Sequence, residues 1–88
     1  MPNIRVEFFG VARARAGMET VELSAATIGD VIEQLTDRFP SLAETCFENA
    51  DLKPGWLFSI DGRLFTRATS EQLPDGTSLQ LLSADAGG

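Results

Sequence analysis

The sequence predicts an α+β fold: one mixed β-sheet with one main helix on one face. Three observations predict it. A single stretch, Ile28, Val31, Ile32, Leu35 and Phe39, repeats apolar side chains at helical spacing. Segments with strand-like alternation or apolar runs flank it on both sides. Asp61-Gly62 separates two of those segments, and a two-residue Asp-Gly connection favours a type I′ hairpin turn. A chain of 88 residues forms one small domain.

Each element follows from its residues. Ile4, Val6 and Phe8 alternate with Arg5, Glu7 and Phe9, which is a half-buried strand ended by Gly10. Val11 to Ala16 reads as a small basic loop carrying Arg13 and Arg15 and closed by Gly17. Thr20 to Leu23 is the second strand, close enough to pair antiparallel with the first. Thr27 opens the helix as its cap, with Asp30 as the capping-box acid, and Pro40 ends it. Ser41 and Glu44 suggest a short second helical turn through Leu42 and Phe47, and Asn49 to Gly55 reads as loop. Trp56 to Ile60 and Arg63 to Phe65 are the arms of the Asp61-Gly62 hairpin. Pro74-Asp75-Gly76 turns the chain into the last strand, Ser78 to Leu82.

One helix covering one sheet leaves an economical arrangement. The first and last strands lie parallel in the centre, with their hairpin partners outside. This is a β-grasp, or ubiquitin-like, roll. Residues 1–83 are expected to form it. Residues 84–88 are expected to be a flexible tail ending in Gly87-Gly88, because no large apolar side chain follows Leu82. A Gly-Gly tail has no Cβ and can enter a cleft too narrow for a side chain.

Alternation also assigns the sheet faces. Ile4, Val6, Phe8, Leu79 and Leu81 meet the helix, which sends Phe9 and Leu82 to the open face. A two-residue turn at Asp61-Gly62 sends Trp56, Phe58, Ile60 and Phe65 to the helix and Leu57, Ser59 and Leu64 away. Phe9, Leu57, Leu64 and Leu82 are then expected as an apolar cluster on the helix-free side, and such a cluster marks a partner surface.

Composition excludes several classes of function. The net charge of −6 argues against nucleic acid as a partner. One cysteine, Cys46, allows no intramolecular disulfide and no cysteine metal cluster, and it reads as a small packed hydrophobe. There is no histidine, so the commonest general base and metal ligand is missing, and no metal site is expected. No apolar run approaches membrane-spanning length, so no membrane partner is expected. Met1-Pro2-Asn3 leads into a strand without a charged and apolar leader, so the expected location is cytoplasmic.

The sequence resembles the MoaD/ThiS family of ubiquitin-like sulfur carriers, most closely the small subunit of molybdopterin synthase. The likeness runs through Val6-Glu7-Phe8-Phe9, the Arg-containing stretch to Gly17, the helix from Thr27, the turn at Ile60-Asp61-Gly62, Leu73-Pro74-Asp75-Gly76 and the final Gly87-Gly88. The resemblance implies a carrier rather than an enzyme. Gly88 would carry the reactive carboxylate and Gly87 would thread it. An E1-like enzyme would adenylate that carboxylate with ATP, and a sulfur donor would convert it to a thiocarboxylate. The carrier itself would bind no cofactor, ATP being used by the activating enzyme. The partners implied are that enzyme and a sulfur-acceptor enzyme, such as a large synthase subunit. By position, Phe9, Leu64 and Leu82 match the docking residues of the family, with Leu57 beside them and Asp85 in the partner-facing tail. Ser83-Ala84-Asp85-Ala86 differs from the Pro and apolar residues common before the Gly pair in molybdopterin synthase subunits, and relatives use the same tail for thiamin, cysteine or specialised metabolites. The other reading from a different class is a ubiquitin-like modifier or interaction domain without sulfur chemistry. A β-grasp ferredoxin is excluded by the single cysteine.

Overall fold

Alternation decides the sheet. In the computed structural model, which describes residues 1–84, β1 (Asn3–Phe8) buries Ile4, Val6 and Phe8 and leaves Asn3, Arg5 and Glu7 on the other side. It pairs antiparallel with β2 (Thr20–Ser24), Val6 facing Val21. α2 (Ile28–Arg38) then crosses the sheet, burying Ile28, Val31, Ile32 and Leu35 completely. Its start is set by a capping box. Thr27 Oγ1 accepts the Asp30 amide at 3.2 Å, and the Asp30 carboxylate accepts the Thr27 amide at 3.3 Å.

Pro40 plays two parts. It stops α2, whose last residue is Arg38, and it is the first residue of α3 (Pro40–Cys46), where its missing N–H costs nothing. The expected short turn is therefore a full helix that buries Leu42 and Cys46. β5 (Trp56–Ile60), β6 (Leu64–Thr66) and β7 (Ser78–Ser83) complete the main sheet. Its strand order is β2-β1-β7-β5-β6, with β1 and β7 parallel in the centre. This is the predicted β-grasp arrangement. Leu79, Leu81 and Phe58 pack under the helices with no exposed surface, and Phe8 meets Phe39 edge-on at 5.7 Å between ring centroids.

Three local expectations are corrected. The stretch after Phe9 is not a loop: Gly10–Ala16 is a helix, α1, closed by Gly17 in the left-handed conformation. Ala12, Ala14 and Ala16 are strong helix formers, and Ala12 is fully buried, so a small side chain does the docking. The region from Asn49 to Gly55 is not wholly loop. β3 (Phe47–Glu48) and β4 (Asp51–Leu52) form a minimal hairpin around Asn49 and Ala50, both at positive φ.

The third correction concerns faces. Asp61 and Gly62 do adopt positive φ, as a type I′ turn requires. Yet Ile60 pairs with Leu64 and Ser59 with Phe65, so Arg63 is an extra residue in the connection. One extra residue reverses every face of the return strand. Leu64 therefore shares the side of Ile60, and Phe65 belongs to the helix-free side, opposite to the assignment made from the turn alone.

Candidate functional site at the end of the last strand

The site is built where the two central strands finish. β1 and β7 run parallel with Phe8 beside Leu81, so the next step in that register sets Phe9 beside Leu82. Phe9 leaves the sheet as the extended residue before α1 and is 46% exposed. Leu82 pairs with Leu57 across β5, and both are half-buried on the helix-free side. Between Phe9, Val11, Trp56, Leu81, Leu82 and Ser83 lies a groove of about 250 Å³.

Of the residues predicted to cluster, Phe9, Leu57 and Leu82 come together at this end of the sheet. Leu64 does not. It is 55% exposed, but it lies opposite Ile60, at the far end of β5 and on the helix side of β6. Phe65 takes the position on the open face, is 64% exposed, and is diagonal to Leu57 across the strand pair. Val11 and Phe65 are the apolar surface residues that alternation alone missed, Val11 because its segment reads as a loop and Phe65 because of the extra Arg63. Asp85, Gly87 and Gly88 lie outside the described residues.

The remainder of the open face is polar and tightly bonded. Glu7 Oε1 accepts Gln80 Nε2 at 2.8 Å and Ser78 Oγ at 3.1 Å, tying β1 to β7. Gln80 Oε1 in turn accepts the Gly62 amide at 3.0 Å, which fixes the hairpin to the centre. The face thus divides into a polar, self-satisfied half and an apolar half beside the chain's exit. Ser59 Oγ sits between them, buried and with no hydrogen-bond partner among the described residues.

Among the described residues no group of three His, Cys, Asp or Glu side chains is placed to hold a metal ion. Cys46 is enclosed in the core, and burial pushes its thiol up to about 12, the Lys53 charge offsetting only part of this. A buried thiol held protonated is no nucleophile. Among the described residues, no helix is long and apolar enough to cross a membrane.

The architecture is shared with known small proteins. Small archaeal modifier protein 1 from Methanosarcina acetivorans is 28% identical, with a TM-score of 0.85, over 100% of this chain and 98% of that one. One chain of the BexX/CysO complex from Amycolatopsis orientalis is 21% identical with a TM-score of 0.81, over 97% and 99%. A Pyrococcus furiosus protein described as subunit 1 of a molybdopterin converting factor is 22% identical with a TM-score of 0.71, over 94% and 98%. A search among curated proteins found no match. A sequence model of the ThiS family matches residues 6–88, from the middle of β1 through Gly87-Gly88, and the chain therefore belongs to the ThiS family of small ubiquitin-like carriers and modifiers, which are not themselves enzymes.

Proposed function

We propose that the protein is a sulfur carrier and that Gly88 bears the sulfur. The observation that carries this reading is the course of β7. It is the central strand, it ends beside the apolar groove, and the family's sequence match continues past it through Gly87-Gly88. The chemistry needs a partner. A carboxylate is a poor acyl donor until one oxygen becomes part of a good leaving group. One Gly88 carboxylate oxygen attacks the α-phosphorus of ATP on an E1-like enzyme, and pyrophosphate leaves. A hydrosulfide-equivalent nucleophile then attacks the acyl carbon, AMP leaves with that oxygen, and a thiocarboxylate remains. The activating groups belong to the partner, so the carrier contributes a docking surface and a thin acyl chain. Phe9, Leu57, Leu82 and Phe65 supply the surface, which must serve both the activating enzyme and the sulfur acceptor. We assign the carrier to cofactor biosynthesis in the cytoplasm, molybdopterin first.

The test is intact-protein mass after incubation with ATP, the activating enzyme from the same source and a sulfur donor. The expected result is replacement of one oxygen by sulfur, located on the C-terminal peptide and absent when Gly88 is deleted. An unchanged mass, together with full biological activity of the Gly88 deletion, would overturn the reading. A second reading draws on the likeness to an archaeal modifier protein at 28% identity. In that case Gly88 would form an isopeptide with a lysine of another protein, and the same mass experiment on cell extract would show conjugates in place of the thiocarboxylate.

A further inference from the structure

Past Ser83 the last strand runs out of neighbours. β1 has already left the sheet at Phe9 for α1, and β5 begins only at Trp56, the partner of Ser83. The next residue is still held. The Ala84 amide donates to the Gly55 carbonyl at 2.6 Å. Ala84, assigned to the tail by sequence, is therefore tied to the loop that precedes β5.

That loop has little packing of its own. Pro54 is exposed and Gly55 sits at φ 88, a left-handed conformation that favours glycine. Its front is fixed to α3, through the Lys53 amide on the Cys46 carbonyl at 2.8 Å and Lys53 Nζ on the Glu44 carbonyl. Its rear is closed by the Trp56 amide, which donates to the Lys53 carbonyl at 3.1 Å, and is braced by one side chain. The Arg67 guanidinium donates to the carbonyls of Leu52 at 3.2 Å, Lys53 at 3.4 Å and Trp56. These carbonyls flank Gly55 on both sides. A planar fork of donors can hold several carbonyls at once, which a lysine ammonium does less well.

We propose that Arg67 is a positioning residue that sets the direction in which the C-terminal segment leaves the domain. It does so by clamping residues 52–56, so that the Gly55 carbonyl is presented to Ala84. Arg67 is solvent-exposed and outside the groove, so it acts on the exit of the chain and not on docking. The kinetic side of this inference rests on the sulfur-carrier reading, whereas the structural side does not.

The experiment compares the full-length protein with Arg67→Ala and Arg67→Lys, and with Arg63→Ala as an exposed basic control on the same hairpin. Residue-resolved amide exchange is expected to be several-fold faster at Ala84 in Arg67→Ala, intermediate in Arg67→Lys and unchanged in Arg63→Ala. Protection across β1 and β7 should stay constant. In adenylation by the activating enzyme, followed as pyrophosphate release, kcat should fall several-fold in Arg67→Ala with KM for the carrier unchanged. Partial recovery is expected in Arg67→Lys. Unaltered exchange at Ala84, or uniform loss of protection across the sheet, would overturn the inference. So would a rise in KM with kcat intact, because that would make Arg67 part of the docking surface. If the wild-type chain is never adenylated, the sulfur-carrier reading fails, and exchange at Ala84 still decides the role of Arg67.

Discussion

Cys46 ends α3 with its thiol fully enclosed, and this has a measurable consequence. Burial raises its pKa from the ordinary 9.0 to about 12. The sign follows from proton counting. Above pH 9 the unfolded chain loses the thiol proton while the folded chain keeps it. The stabilisation is thus complete below the unfolded value and is lost as pH rises toward the folded one. The loss runs at about 1.4 kcal/mol per pH unit for a single proton. Urea midpoints measured from about pH 9 to 11 should fall more steeply for the wild type than for Cys46→Ala, which shares every other titrating group. Parallel slopes would contradict this. At the same scale, the packed state of Cys46 was legible because it closes an apolar helical turn in a chain without histidine. Phe9, Leu57 and Leu82 were legible because alternation is a strict rule within a strand. Leu64 and Phe65 were not, because a single extra residue, Arg63, lies between them and the turn, and turn chemistry alone does not count residues past Gly62.

α2 shows how an element announces itself. Its apolar stripe, its capping box and the proline behind it all agree, and the boundaries follow. The Asp30 carboxylate holds the Ala26 and Thr27 amides at 3.1 and 3.3 Å, while Thr27 Oγ1 holds the Asp30 amide. Asp30→Ala should therefore lower stability by about 1 kcal/mol, read from urea unfolding. Thr27→Ala combined with Asp30→Ala should cost less than the two separate losses added, because both belong to one motif. Strict additivity would mean that the two side chains act independently. α1 announces nothing comparable. At 7 residues it is too short to be stable alone, it begins with a glycine, and its docking residue is an alanine. The hairpin of β3 and β4 is concealed for another reason. Its turn places Ala50 at φ 62, a conformation alanine does not favour, so Asn49 is left as a single turn residue without the usual glycine after it.

On the scale of the molecule, the fold joins the two ends of the described chain. β1 and β7 are more than seventy residues apart and lie side by side, with Arg5 against Ser78 and Phe8 against Leu81. β7 is also the ladder partner of β5, so it links both halves of the sheet. On the proposed sulfur-carrier reading, the groups that hold the fold and the group that reacts fall on opposite sides of one short boundary. Leu79 and Leu81 are completely buried, and losing either side chain to alanine should cost about 2–5 kcal/mol. A small domain has only about 5–15 kcal/mol in total. A chain ending at Thr77 should consequently fail to fold, with collapsed amide dispersion in its NMR spectrum. A chain ending at Ala84 retains all of β7 and the Gly55 bond, and it should melt within a few degrees of the full-length protein. If the proposed sulfur-carrier reading holds, the same shortened chain should still compete with the full-length protein for an E1-like activating enzyme, because the groove is intact, while releasing no pyrophosphate of its own. A shortened chain that cannot compete would place the recognition in residues 85–88 and take it away from the apolar end of the sheet.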